Sequence, residues 1–405
     1  MFNRIRIYMH CLCVLCCMEG WALQAVPVDT VGFVRTSLFV VSSGDKVYSV
    51  WGHAALRMQC PTHRLDYCFS CELPEVGWQG LSFFSGGLKT GFIYAPTEEY
   101  CRDYVREGRT VTEFVLNLTD GEKRRLWKVL DERVADGLTT PCDYLNRGCA
   151  IECARMVDAV LLDEEIRYSL PPELEKRVST RRRAALDCIP SYPWEALFWT
   201  FMAGTEADEE VSLFERLVVP GDLAEAWQHA CLVDTNGERR PLIISSSVLY
   251  QGNGEKKDAR MVPIIVMVLW LIAVLSVTVC ERYNVCRRIT KWMDVLLLAL
   301  QTVLGLFLFY MLCFSTQAAT AWNWFFIPFN PLPLCVLLVG CHGRIKPAAR
   351  SCIYLFYACV TGLFVLVSPW LYSVLSPAWS LLVASMTIRC IHHYKALREK
   401  KNICV

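Results

Sequence analysis

Two side chains able to do nucleophilic and proton-transfer chemistry stand far apart in the chain. His53 lies in Trp51-Gly52-His53-Ala54-Ala55-Leu56-Arg57-Met58, an apolar run with strand character. Cys149 lies in Asn146-Arg147-Gly148-Cys149-Ala150-Ile151-Glu152-Cys153, where a polar turn runs directly into a helical pattern. An imidazole inside an apolar strand needs a partner. It either bonds a backbone carbonyl structurally or exchanges a proton with a reacting group. A cysteine at the start of a helix faces unpaired N–H groups and the positive end of the helix dipole, which lower its pKa below the free value of about 8.5. Thiolate chemistry favours that position.

The elements that must position them can be read from the same stretches. Leu38-Phe39-Val40-Val41 and Lys46 to Gln59 read as strands separated by the turn signal Ser43-Gly44-Asp45. A third strand, Arg64 to Phe69, would pair back on the second as a hairpin and bring Asp66 or Tyr67 near His53. Either is a natural source of a third polar group, and His63 falls in the connecting turn. Thr97 to Arg109 reads as a helix and Thr110 to Leu118 as a strand, and Thr119-Asp120-Gly121-Glu122 has the spacing of a capping box opening the next helix. The helix after Cys149 spans Ala150 to Leu162. The glycine- and aromatic-rich segment Phe83 to Phe92 lacks the Lys-Ser/Thr ending of a phosphate loop and reads as turns. The basic run Arg177 to Arg183 reads as a solvated surface, Pro193 to Ala203 and Val211 to Val233 as aromatic-rich helices, and Arg240 to Ser245 as a closing strand.

With 41 basic and 40 acidic residues, the overall charge points to no nucleic-acid partner. The average conceals two unlike halves. Up to about Lys257 the chain is mixed and globular, and from Met261 it is a series of apolar runs separated by short basic loops. The runs are Val262 to Cys280, Asp294 to Phe314, Trp322 to Gly340, Ser351 to Pro369 and Trp370 to Ile388. The third carries Pro328, Pro331 and Pro333 and is expected to be kinked or re-entrant. Basic residues gather at 282–291, 344–350 and 389–401, which by the positive-inside rule makes those loops cytoplasmic and everything before Met261 external. A basic, then apolar, then small-residue start marks residues 1–25 as a signal peptide or N-terminal anchor. The expected domains are therefore 26–251 outside the membrane, a linker at 252–261, transmembrane helices over 262–388 and a basic cytoplasmic tail at 389–405. The lipid bilayer is the expected partner of the second half.

The 22 cysteines divide into four in the leader, nine in the external domain and nine from Cys280 onward. An exported domain with an odd number leaves at least one thiol unpaired within it, which is compatible with Cys149 being the free one. Cys68 with Cys71 and Cys149 with Cys153 have metal-like spacing, but no second pair completes a zinc site, so neither metal nor other cofactor is expected.

Several stretches together resemble the Lnb N-terminal periplasmic domain family of exported proteins from Bacteroidetes and other Gram-negative bacteria. They are Val50 to Arg57, the aromatic-glycine segment to Tyr94 and Pro96, Leu116 to Trp127, the Cys149 segment, and Gly204-Thr205-Glu206-Ala207-Asp208. The apolar half, with Asn323 and Asn330-Pro331-Leu332, resembles the multi-span tail of such proteins. The histidine-then-cysteine order is similar to that of circularly permuted papain-like thiol hydrolases. The resemblance implies an α+β fold: a permuted papain-like periplasmic domain followed by an all-α transmembrane bundle of about five helices in the bacterial inner membrane. It implies Cys149 as nucleophile, His53 as base and Asp66 as the group that orients the imidazole. The sequence departs from the family pattern at Gly148, where asparagine is usual, and at Glu152, where arginine is usual. Glu152, one helical turn from Cys149, is expected to oppose a thiolate by like-charge repulsion.

Two functions follow from this pattern. One is a membrane-anchored periplasmic thiol hydrolase or acyltransferase acting on a cell-envelope amide or ester. The other is a non-catalytic envelope chaperone or maturation factor that retains a papain-like shell and serves an exported client protein.

Overall fold

The computed structural model of the chain describes residues 34–72, 80–137, 139–141, 143, 147–169, 180–211, 215, 217–254, 257–282, 287–317, 320–333, 346–371 and 375–403. The leader at 1–25 lies outside the described residues. The N-terminal part is built on a seven-stranded antiparallel sheet. Its strands are β1 (Arg35–Val41), β2 (His53–Cys60), β3 (Leu65–Glu72), β4 (Lys89–Pro96), β5 (Val111–Leu116), β6 (Thr139–Pro141) and β10 (Ile243–Tyr250), arranged as β10-β5-β1-β2-β3-β4-β6.

β1 and β2 are central and apolar because both faces of the sheet are covered. On one face Leu38, Leu56 and Met58 meet α3 (Asp120–Ala135), α4 (Cys149–Asp158) and α7 (Pro220–Gln228). On the other, Phe39, Val41 and Ala55 meet Tyr100 and Cys101 of α2 (Thr97–Arg106). Each such leucine or methionine taken fully out of water contributes about 1.5–3 kcal/mol. α3 begins at the expected capping box, in which Thr119 and Glu122 satisfy each other's backbone N–H groups. α4 buries Ala150, Cys153, Ala154 and Val157, the spacing of one helical face, and this seats its N-terminus against β2.

Two expectations change here. The stretch read as one helix over Val211 to Val233 is α7 followed by a strand, β8 (Ala230–Asp234), paired with β7 (Glu164–Tyr168) and β9 (Arg239–Pro241) in a second small sheet. Pairing on both sides decides the conformation of Leu232 and Val233, which local pattern left compatible with a helix. The basic run is not all surface. Arg182, at the start of α5 (Arg181–Asp187), is 1% exposed and donates to both carboxylate oxygens of Asp208 and to the carbonyls of Thr200, Ala203 and Gly204. A guanidinium is buried at tolerable cost because its donors are spent on a carboxylate and on carbonyls at a helix end.

The C-terminal part is helical, with α8 (Val262–Arg282), α9 (Arg287–Phe314), α10 (Pro347–Val367) and α11 (Pro377–Ile403). Three helices among the described residues are long and apolar enough to cross a membrane, within α8, α9 and α10 with its C-terminal extension. The described part of the third expected run is not a continuous helix. It makes a single 3-10 turn at Trp324–Phe326, started by the Asn323 side chain, and Gln301 of α9 satisfies the Pro328 carbonyl at 2.9 Å. Prolines remove the N–H groups that would continue a helix, and residues 334–340 lie outside the described residues. Arg389, grouped by sequence with the basic tail, is buried within α11, where it bonds Asp294, Glu281 and Thr278 and ties α11 to α8 and α9.

The two parts share a packed boundary through α6 (Pro193–Met202). Its Leu197 and Phe201 enter the core of the helical part beside Phe325, Phe329 and Trp379. Asn323 donates to the carbonyls of Phe201 and Met202 at 2.7 and 3.1 Å, and Trp379 donates to that of Leu197 at 3.0 Å. Gly204 lies so close to Ala321 that an added Cβ would overlap its carbonyl oxygen. Only glycine fits this contact.

Candidate active site

β2 begins at His53, directly after Gly52, whose φ of +87° turns the chain into the strand. A Cβ at Gly52 would also stand 2.6 Å from the Val41 carbonyl oxygen, so a side chain is excluded twice over. Cys149 is the first residue of α4, with Gly148 as an extended N-cap that offers no capping side chain. Because α4 packs on β2, the thiol comes within hydrogen-bonding reach of the imidazole and faces the N–H groups of Ala54 and Ala150.

The ionisation of the pair follows from this geometry. Burial works against charge on His53, but Cys149 and Glu72 outweigh it and push the imidazole up to about 10. Burial alone would raise the Cys149 thiol. The charge and hydrogen bond of His53, with the Ala54 and Ala150 N–H groups, instead hold it below the ordinary thiol range. Neighbouring thiols go the other way: burial pushes Cys71 up to about 12 and Cys153 well above the usual range.

Asp66, expected as the third group, does not stand beside His53 in the structure. β2 and β3 pair with Cys60 opposite Leu65 and Leu56 opposite Phe69, across a turn of Pro61–His63 closed by Arg64 at φ 53°. Continued outward, this register sets Glu72 opposite His53, while Asp66 sits opposite Gln59 at the far end of the hairpin. His53 Nε2 is 2.7 Å from Ser70 Oγ and 3.6 Å from Glu72 Oε1. Asp66 instead accepts from Nε and Nη2 of Arg57 and from the Thr97 hydroxyl. Arg57 in turn bonds the buried Glu113 at 2.9 Å. Asp66 thus belongs to a charge network across the sheet. Counting outward from a four-residue turn, 61–64, gives Glu72 from sequence; ending the strand at Phe69 conceals it.

Glu152 also differs from expectation. Its carboxylate accepts from Arg133 at 3.0 Å and from Arg155 at 2.8 Å, so two cations offset its charge. The expected repulsion of the thiolate is correspondingly weakened.

His53, Glu72 and Cys149 line one cleft of about 260 Å³, with mostly apolar walls that include Trp51, Trp199 and Pro220. Trp51 and Trp199 meet edge to face at 5.7 Å. Trp199 belongs to α6 and packs in one cluster with Met311 of α9, so the cleft wall is continuous with the helical part. No group of three or more His, Cys, Asp or Glu among the described residues is arranged to hold a metal ion. None of the described cysteines is in a disulfide.

Residues 18–177 match the model of the Lnb N-terminal periplasmic domain, and residues 255–401 match that of the Lnb transmembrane domain. The chain belongs to the Lnb family. It is accordingly a membrane protein whose N-terminal domain is periplasmic. The paired cleft lies in this Lnb periplasmic domain, and the α6 contacts join it to the Lnb transmembrane domain. No curated protein and no solved structure matches the chain.

Proposed function

We propose that this Lnb protein is a membrane-anchored periplasmic thiol acyltransferase or hydrolase, acting on an amide or ester of the cell envelope, with a permuted papain-like arrangement of its site. The observation that carries this reading is the Cys149–His53 pair in an apolar cleft, with the thiol lowered and the imidazole raised. In the proposed reaction the Cys149 thiolate attacks the substrate carbonyl carbon. The carbon–sulfur bond forms as the carbonyl electron pair moves to oxygen. Return of that pair expels the amine or alcohol, which takes its proton from the His53 imidazolium. Neutral His53 then removes a proton from water or an acceptor amine or hydroxyl. Attack of that group on the thioester releases the acyl product and restores the thiolate. Glu72 and Ser70, both at Nε2, orient the ring and leave Nδ1 for the sulfur. The continuity of the cleft wall with the helical part favours a substrate carried by the bilayer.

In the same proposal the protein sits in the inner membrane with five spans, α11 included, and with its C-terminus in the cytoplasm. A reporter fused after Val405 is expected to behave as cytoplasmic, and a periplasmic signal would refute that topology. The catalytic reading is tested by labelling with an activity-based thiol probe. Labelling is expected in the intact protein, to be lost in Cys149→Ala and strongly reduced in His53→Ala. Persistence of labelling in Cys149→Ala removes the enzyme reading and leaves a non-catalytic maturation factor for an exported client.

A further inference from the structure

The cleft holds a second feature that the acyl chemistry does not use. Arg109 follows α2 and lies on the cleft wall with Tyr104, His53 and Glu72. It is 5% exposed and firmly held: Nε donates to the Ser42 carbonyl at 2.7 Å, Nη1 to Glu107 at 3.3 Å, and the guanidinium carbon stands 4.9 Å from the centre of the Tyr104 ring. The Tyr104 ring is itself 6.1 Å from that of His53. The remaining nitrogen, Nη2, is buried and has no hydrogen-bond partner. Leaving a buried guanidinium N–H group unsatisfied is costly, and binding sites are where such costs are recovered. Nor is its charge cancelled locally, because Glu107 is shared with Lys46, whose Nζ lies 3.0 Å from the other carboxylate oxygen. A second cation, Arg147, lines the same cleft, is exposed, and forms no ion pair among the described residues.

We propose that Arg109, with Arg147 at the rim, forms an oxyanion-binding subsite that takes a phosphate or carboxylate group carried by the substrate. The guanidinium offers the planar donor pattern suited to such groups, and its other contacts fix it before the ligand arrives. The proposal rests on the reading of Cys149 as a reactive thiolate and extends it to which substrates the cleft accepts.

The test compares alkylation of Cys149 in the full-length protein in neutral detergent by iodoacetate, which is anionic, and iodoacetamide, which is neutral. The ratio of the two rate constants cancels any change in the thiolate population. In Arg109→Gln this ratio is expected to fall about fivefold, and in the exposed-site variant Arg147→Gln about twofold, as loss of one nearby positive charge predicts. Should Arg109→Gln fail to fold, Arg147→Gln decides. A ratio unchanged in the folded variants overturns the subsite. A different result, no Cys149 labelling by either reagent in the intact protein, would instead overturn the thiolate reading. Protection by inorganic phosphate in detergent assigns the site to a free anion. Protection only in phosphatidylglycerol nanodiscs assigns it to a lipid headgroup.

Discussion

Glu72→Gln isolates the electrostatic basis of the site with little change of shape. The carboxylate oxygen lies 3.6 Å from His53 Nε2, with side-chain exposures of 16% for His53 and 32% for Glu72. Two unit charges at that distance interact by about 1–4.6 kcal/mol between the effective dielectrics of water and a protein surface. Because Glu72 is nearly one-third exposed, the low end applies, about 1.4 kcal/mol, or about one pKa unit. The sign is set by which form the carboxylate favours: it stabilises the imidazolium, so its removal lowers the His53 pKa from the value of about 10. The assay is ring-resonance NMR of carbon-13-histidine-labelled protein in detergent, with His53→Ala identifying the signal. The expected result is His53 titrating near 10 in the intact protein and about one unit lower in Glu72→Gln. The same linkage predicts stability. A folded pKa above the ordinary 6.5 contributes stability fully below pH 6.5, and that contribution is lost as pH rises through about 10. The Tm deficit of Glu72→Gln should therefore shrink over that window. An intact-protein titration near 6.5, or no downward shift in the variant, would refute the reasoning.

Three further outcomes are expected. Asp66→Asn should reduce stability by about 1–3 kcal/mol through loss of the charged partner of Arg57, yet leave the His53 titration in place; a downward shift like that of Glu72→Gln would restore Asp66 as the orienting acid. Arg133→Ala leaves Glu152 with Arg155 alone, so the Cys149 thiol should become harder to ionise and its alkylation by iodoacetamide should slow, with the pH–rate profile displaced to higher pH; an unchanged pH–rate profile would show that Glu152 has no electrostatic hold on the thiol. Asn323→Ala strands the carbonyls of Phe201 and Met202 at the end of α6 and should cost about 1–3 kcal/mol; a Tm equal to that of the intact protein would mean that water replaces the amide.

By itself the sequence determined the chemistry-bearing types and much of their local setting. A histidine in an apolar strand, a cysteine opening a helix, a capping box before α3 and the division into a mixed half and an apolar half are all encoded within a few residues of each feature. Hydrophobic period, cap chemistry and turn residues are local properties, and for that reason they are legible. The tertiary structure decided which distant groups meet. Glu72 rather than Asp66 faces His53 because register is fixed by the length of a turn, and an error there moves every cross-strand partner. Arg182 is buried rather than solvated because Asp208 and three carbonyls converge on it from other segments. Glu152 is offset rather than opposed to the thiolate because Arg133 reaches it from α3. Charge has no local signature of its neutralisation: a residue name gives its sign, and only the packed chain gives its partner.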